Sequence, residues 1–377
     1  MVIPLRSNNI VCETDGSEDG LYIVGQSNAE GYNIPHLPRI IRSDTSINGM
    51  SLAVAGMGDK LPFNLKCDEL FDNYSDGDIV WVNSRFNQVR SVISSRSTAN
   101  SLLLTERCEN RCLFCSQPPN YFNDVHLYHQ AALALLNYNT SDYVGLTGGE
   151  PTYNEHAFIT LLSTLNIFNN RTKLHILSNG RRFSDMDFTK RVTDHLEGRD
   201  VLWGIPLYGH YAGLHDHLVG GKGAFIDTAR GLSNLLNQGQ NIELRIVPVA
   251  NNLSYLNNII EFITSNYLNI RIISIMNVEP KGYARKNFDS LYVSVHKQLH
   301  YLEQAIDLAE RYGLQIRLFN YPLCLINEYL RNRAVQSISD WKNYYADECS
   351  GCRLKPQCGG LFVSSAGRFL ENIRRIK

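Results

Sequence analysis

The sequence predicts an α/β protein whose central unit is a parallel sheet with helices packed on one or both faces. Two observations predict it. From residue 99 onward, short β-like runs alternate with segments of helical period. The first of those runs leads straight into a cluster of cysteines, at the end of a strand where such sheets place their chemistry.

The elements follow in order. Residues 1–98 are rich in Gly, Asn, Asp and Ser, and "LYIVGQ", "SLAVAG" and "GDIVWVN" read as strands between turn residues. This stretch is expected to be a small β-rich domain. The next unit, 99–313, holds six expected strands: "SLLLT" (101–105), "YVGLT" (143–147), "LHILS" (174–178), "VLWGIPLY" (201–208), "IELRIVPV" (242–249) and "IRIISIM" (270–276). Between them lie amphipathic helices. Phe158, Leu161, Leu162 and Leu165 form one stripe over 155–166, and Phe225, Ala229, Leu232 and Leu236 another over 224–237. A third helix over 296–311 stops at Gly313. The last unit, 314–377, opens with a strand in "LQIRLFNYPLC". It continues with a helix-like stretch, "NEYLRNRAVQSISDWKNYYADE", broken near Ser337, and ends in a cysteine-bearing loop.

The chain has 377 residues, 44% hydrophobic and 19% charged, with a net charge of −1. That suits a globular protein with a large core and gives no global field for nucleic acid or an anionic membrane. The N-terminal stretch has no apolar signal-peptide core and the apolar runs are far short of a membrane span. The expected location is cytoplasmic. There the nine cysteines are not a disulfide framework. Cys12 and Cys67 stand alone and read as buried small hydrophobes, while the other seven form two groups.

Cys108, Cys112 and Cys115 have the spacing C-x3-C-x2-C on a short loop. Three thiolates suit three irons of one cubane cluster, and a fully thiolate-ligated cluster needs a fourth, absent nearby. One iron then keeps an open position for a small molecule, as catalytic zinc does. The rival reading is a zinc site completed by His126 or His129. Cys324, Cys349, Cys352 and Cys358 supply four thiolates, which close a shell around either zinc or a second [4Fe–4S] cluster.

The motif C-x3-C-x-aromatic-C, with Phe114 at the aromatic position, resembles the radical SAM superfamily signature. The resemblance implies a partial (β/α)6 barrel and a three-cysteine [4Fe–4S] cluster. The open iron of that cluster chelates S-adenosylmethionine (SAM). One electron then cleaves SAM to a 5′-deoxyadenosyl radical that abstracts a substrate hydrogen atom. "TGGEP" (147–151) resembles the family's glycine-rich motif, with Gly148 and Gly149 admitting a ligand to the backbone and Glu150 accepting from the methionine ammonium. "LSNG" makes Ser178 and Asn179 candidate contacts to ribose or carboxylate, with a plain polar turn as the alternative. Arg245, inside an apolar strand, needs a partner that the cofactor carboxylate or an internal salt bridge would provide. "HD…GGKGAF" makes His215 and Asp216 loop-ordering residues. The fourth strand ends Pro206-Leu207-Tyr208 where the family often has Ser-Leu-Asp, which puts any cofactor contact there in doubt. Tyr208, His210 and His215 are the residues near that strand end that could face substrate, and no acid or base is assigned.

The second cysteine group resembles the shorter, single-cluster auxiliary domains of radical SAM peptide maturases, since Phe362 stands where the two-cluster type has a cysteine. "SQPP", which directs the chain away from the cluster loop in extended form, and "SISDWKN" add a closer resemblance, to the C-type radical SAM maturase of His-Xaa-Ser repeat peptide systems. It implies two [4Fe–4S] clusters and SAM as cofactors. The implied partners are a ribosomally made precursor peptide, a companion radical SAM maturase, a small accessory protein and an electron donor such as flavodoxin or ferredoxin. The competing readings are a radical SAM enzyme for RNA or a small molecule, and a non-catalytic, zinc-stabilised binding subunit.

Overall fold

The computed structural model describes residues 9–11, 13–15, 20–24, 39–42, 51–55, 64–66, 73–83, 86, 88–138, 142–168, 172–267, 269–270, 272–336, 342–366 and 371–377. Cys12, Cys67, and residues 337–341 with the expected break near Ser337 lie outside these.

Among its described residues the N-terminal stretch holds eight strands: β1 (Asn9–Val11), β2 (Glu13–Asp15), β3 (Gly20–Val24), β4 (Arg39–Arg42), β5 (Ser51–Ala55), β6 (Asn64–Lys66), β7 (Ile79–Asn83) and β8 (Gln88–Ile93). They form one sheet in the order β1-β8-β7-β3-β4-β5-β6-β2, antiparallel except for the β3–β4 pair. β1 and β2 stand at opposite ends of that order yet are separated by one residue, so one short segment borders both ends. Alternation in β7 and β8 buries Val80, Val82, Val89 and Ile93.

The second sheet is parallel and follows sequence order from β9 (Ser101–Thr105) through β10 (Tyr143–Gly148), β11 (Lys173–Leu177), β12 (Val201–Pro206), β13 (Asn241–Ile246) and β14 (Ile272–Met276) to β15 (Gln315–Phe319) and the two-residue β16 (Ala334–Val335). Among the described residues its end strands, β9 and β16, do not pair with each other, so the sheet is an open barrel. The six expected strands are all present. β15 extends the same sheet, pairing with β14 from Ile272↔Gln315 to Met276↔Phe319.

The strands have two chemically different faces. Leu102 and Leu104, Leu174 and Ile176, Trp203 and Ile205, Leu244 and Ile246, Ile273 and Ile275, and Ile316 and Leu318 are buried on one face. Six helices pack on that face among the described residues: α1 (His126–Asn137), α2 (Glu155–Ile167), α3 (Met186–Asp194), α5 (Ala224–Asn237), α6 (Leu256–Asn266) and α9 (Val295–Arg311), while α4 (Ala212–Val219) and the short α7 (Tyr283–Lys286) and α8 (Phe288–Leu291) pack in a separate cluster around Phe114, Val249 and Val278. α2 begins where the Asn154 side chain accepts from Ala157 N at 3.1 Å, and it buries the Phe158, Leu161, Leu162 and Leu165 stripe. The opposite strand positions, among them Gly145, Thr147, His175, Gly204, Glu243, Arg245 and Ser274, turn inward.

The stretch from 327 to 348 is mostly not helical among its described residues. Asn327 caps a single turn, α10 (Glu328–Arg331), by accepting from Leu330 N. Leu318 N then takes the Arg333 carbonyl at 2.8 Å and draws the chain into β16. Further on, β17 (Asn343–Tyr344) pairs with β18 (Leu361–Phe362) around the second cysteine group. Strand pairing there overrides helical propensity. Among the described residues no helix is long and apolar enough to cross a membrane.

Candidate cofactor site

A cavity of about 430 Å³ lies inside the parallel sheet, within the size range of small-molecule sites. Cys108, Cys112 and Cys115 line its top, on the loop that leaves β9.

That loop is fastened from three sides. Asp124 Oδ2 accepts from Thr105 Oγ1 and Glu106 N, each at 2.7 Å. The last residues of α4 accept from Arg111 N and Leu113 N, both at 2.9 Å. Below, Tyr283 N donates to Cys115 O, and Asn287 Nδ2 donates to Leu113 O, each at 2.8 Å. Gly220 and Gly282 both have φ of 60°, and a side chain at either would collide with backbone of this loop. After Cys115, Ser116 and Gln117 lie in a bend, and Pro118 and Pro119 belong to neither helix nor strand.

Burial pushes the Cys112 thiol up to about 12 and raises Cys108 and Cys115 as well, so ionised sulfurs here need a cationic partner. The donor set fits an iron–sulfur cluster: three soft sulfurs on one cavity wall, none tied into a disulfide. Among the described residues no three His, Cys, Asp or Glu side chains converge as a single metal ion requires. His126 and His129 do not line the cavity. Ligands to separate irons of a cubane need not converge on one point.

Phe114 is buried in the cavity wall, edge-on to Tyr208 with ring centroids 4.7 Å apart. Gly148 and Gly149 also line the cavity, but their lack of a side chain serves a second purpose. A Cβ on Gly148 would collide with the Thr105 carbonyl, and one on Gly149 with the Arg107 carbonyl. The motif therefore seats β10 against the root of the cysteine loop.

Glu150 is fully buried and is not a lining residue. Its Oε1 accepts from Thr152 N (2.9 Å), Thr152 Oγ1 (2.7 Å) and Ser178 Oγ (2.9 Å), and its Oε2 from Asn179 N (2.6 Å). Burial, with Glu109 nearby, pushes its pKa up to about 7 despite these donors. Glu150 thus ties the end of β10 to Ser178 and Asn179, which do line the cavity. Asn179 Nδ2 also reaches Glu109 at 2.9 Å.

Arg245 lines the cavity and donates to Met276 Sδ at 2.9 Å, and it forms no ion pair with a carboxylate among the described residues. Tyr208 and His215 line the cavity, while His210 packs away against Tyr211 and Tyr255. His215 Nδ1 accepts from Tyr208 N at 3.2 Å, and burial lowers its pKa to about 4. Asp216 accepts from Gly223 N and Phe225 N, both at 2.7 Å, and so caps α5.

Cys324, Cys349, Cys352 and Cys358 line one small, mainly apolar pocket with Tyr344, Leu354 and Ile376. Backbone donors point at the sulfurs. Leu323 N and Gly360 N each lie 3.4 Å from Cys358 Sγ, and Ile376 N lies 3.4 Å from Cys352 Sγ. The Ile376 amide is the main cause of a lowered pKa at Cys352. N–H groups aimed at sulfur suit thiolate ligands of an iron–sulfur cluster.

One inward group had gone unassigned. His175 lies on the cavity wall with Nε2 2.8 Å from Glu243 Oε2. Two charged residues at alternate positions of "IELRIV", Glu243 and Arg245, were the available signal, because period two puts both on one face.

No curated protein matches the chain. Among solved structures it is similar to Streptococcus suis SuiB bound to S-adenosylmethionine, at 16% identity and a TM-score of 0.45, over 60% of this chain and 50% of that one. It is also similar to native anSMEcpe with bound AdoMet and Cp18Cys peptide (16%, 0.45, 58% and 62%). A third is coproporphyrinogen III oxidase, HemN, from Escherichia coli (16%, 0.43, 56% and 52%). The chain spans about half to three fifths of the length of these proteins. The strands and loops that build most of the cavity fall in one family segment: residues 102–263 match the radical SAM superfamily.

Proposed function

We propose that this protein is a radical SAM enzyme that modifies a ribosomally made precursor peptide. The observation that carries the reading is convergence. Cys108, Cys112 and Cys115 meet Gly148, Gly149, Ser178, Asn179 and Arg245 on the wall of one cavity. The three cysteines would hold a [4Fe–4S] cluster, and the Arg245 guanidinium on the same wall suits the carboxylate of SAM. When bound, the cluster and SAM supply a 5′-deoxyadenosyl radical that takes a hydrogen atom from the substrate. The protein's own part is to bind, orient and shield: buried Phe114 and half-buried Tyr208 wall the site.

The peptide assignment rests on the sequence resemblance to His-Xaa-Ser maturases and on the pocket lined by Cys324, Cys349, Cys352 and Cys358. We assign that pocket a second, fully ligated cluster with an electron-transfer or structural role. The same resemblance supports a companion maturase, a small accessory protein and a flavodoxin- or ferredoxin-type electron donor as partners.

The reading is tested with protein purified without oxygen and mixed with SAM, a reductant and a synthetic peptide of His-Xaa-Ser repeats. We expect 5′-deoxyadenosine and a mass change in the peptide. Deoxyadenosine with an unchanged peptide would remove the peptide assignment, and no deoxyadenosine would remove the radical reading.

A further inference from the structure

Below the cysteine loop the inward face of the sheet carries a polar group of residues that the cofactor does not account for. His175 on β11 meets Glu243 on β13, two strands away, at 2.8 Å from Nε2 to Oε2. They meet across Gly204 on β12. A Cβ on Gly204 would stand 3.1 Å from His175 Nε2 and 3.2 Å from Arg245 Cδ, so the missing side chain opens the gap they share. Ser274 Oγ donates to the other carboxylate oxygen. Neither Nε2 nor Oε2 has a hydrogen-bond partner, so their 2.8 Å approach is an ion-pair contact and not an aligned hydrogen bond.

The carboxylate is held as an anion. Burial opposes its charge, but His175, Arg245 and Ser274 outweigh burial and lower Glu243 to about 2. An anion facing Nε2 keeps the ring proton there and leaves the lone pair on Nδ1. His175, Gly204 and Arg245 all line the cavity. This is the second half of a base–orienter pair: an imidazole on a cavity wall, with a buried carboxylate 2.8 Å from Nε2 that favours the proton there.

We propose that His175 is the proton acceptor for substrate bound in this arm of the cavity, with Glu243 as its positioning residue. The inference rests on the reading of the cavity as a peptide-modifying site. The proton comes from an N–H or O–H of the peptide. That bond breaks, its electron pair stays on the peptide atom, and a new N–H bond forms at Nδ1. The imidazolium charge is balanced by Glu243.

Two measurements test it. The first needs no substrate: long-range ¹H–¹⁵N NMR of the histidine rings in the cluster-loaded protein. A neutral His175 protonated at Nε2 is expected in the wild type, and Glu243→Ala should lose that preference. A ring protonated at Nδ1 overturns the proposal. The second compares wild type, His175→Ala and the bulkier His175→Gln in the assay with SAM, reductant and His-Xaa-Ser peptide. Product per deoxyadenosine should fall at least about ten-fold in both variants. Added imidazole should restore it in His175→Ala alone. A folded His175→Ala protein with wild-type product per deoxyadenosine, or a loss that imidazole does not restore, overturns the proposal. If the wild type forms deoxyadenosine but converts no peptide, the peptide reading fails separately, and the ring tautomer decides the dyad.

Discussion

Gly149→Ala should lose the iron of the first cysteine group and cut deoxyadenosine formation by about 10²-fold or more. The new Cβ would collide with the carbonyl of Arg107, the residue before Cys108, and lie 3.0 Å from the Glu106 carbonyl oxygen. Those are backbone atoms, which cannot swing aside as a side-chain tip can. They are also bonded in place. Gly149 N donates to Thr105 O at 2.8 Å and Glu150 N to Arg107 O at 2.7 Å, so relief of the clash breaks the joint between β10 and the cysteine loop. Iron and sulfide per chain check this. A drop of about four irons, with the second group still loaded, is the expected result. Wild-type iron would show that the loop tolerates the shift.

Glu150→Ala should destabilise the protein by about 3–5 kcal/mol, because it strips a buried cluster of donors of their acceptor. Thr152 N and Asn179 N are backbone donors and cannot turn to find another partner. The Ser178–Asn179 corner should loosen with them. The effect carries a pH signature. The folded-state pKa of Glu150 is raised from 4.5 to about 7. Between those values the folded state binds more protons than the unfolded one. Its contribution to stability is therefore full below about 4.5, declines as pH rises toward about 7, and levels off above. Denaturant unfolding of wild type and variant at pH 5 and pH 8 should give a larger difference at pH 5. Equal differences would show that Glu150 does not titrate in that window.

The parallel sheet was legible because β9 to β14 are short apolar runs set between helical stripes, and both patterns are local. β15 was legible as a strand, but its place beside β14 was not, since register depends on a partner more than thirty residues away in sequence. The 327–348 stretch misled for the same reason. Its helical period is real over Glu328–Arg331, and pairing of Leu318 with Ala334 then redirects the chain. At the site, spacing located the cysteines and the Gly-Gly-Glu motif. It did not show that Gly148 and Gly149 are small because the cysteine loop presses on them, or that Glu150 faces Ser178 and Asn179. Both depend on contacts between strands. His175 with Glu243 was the least legible, because the residue that lets them meet, Gly204, reads as an ordinary strand glycine.

The central claim is that Cys108, Cys112 and Cys115 hold a cluster with an open iron that binds SAM. It is tested most directly by electron paramagnetic resonance of the reduced, anaerobically purified protein with and without SAM. A variant with Cys324, Cys349, Cys352 and Cys358 all replaced by Ala isolates the first group. Should that variant unfold, the wild-type spectrum minus that of Cys112→Ala isolates the same signal. The account predicts an iron–sulfur signal that shifts when SAM is added and is absent from Cys112→Ala. A signal indifferent to SAM, or zinc in place of iron at these three cysteines, would contradict it.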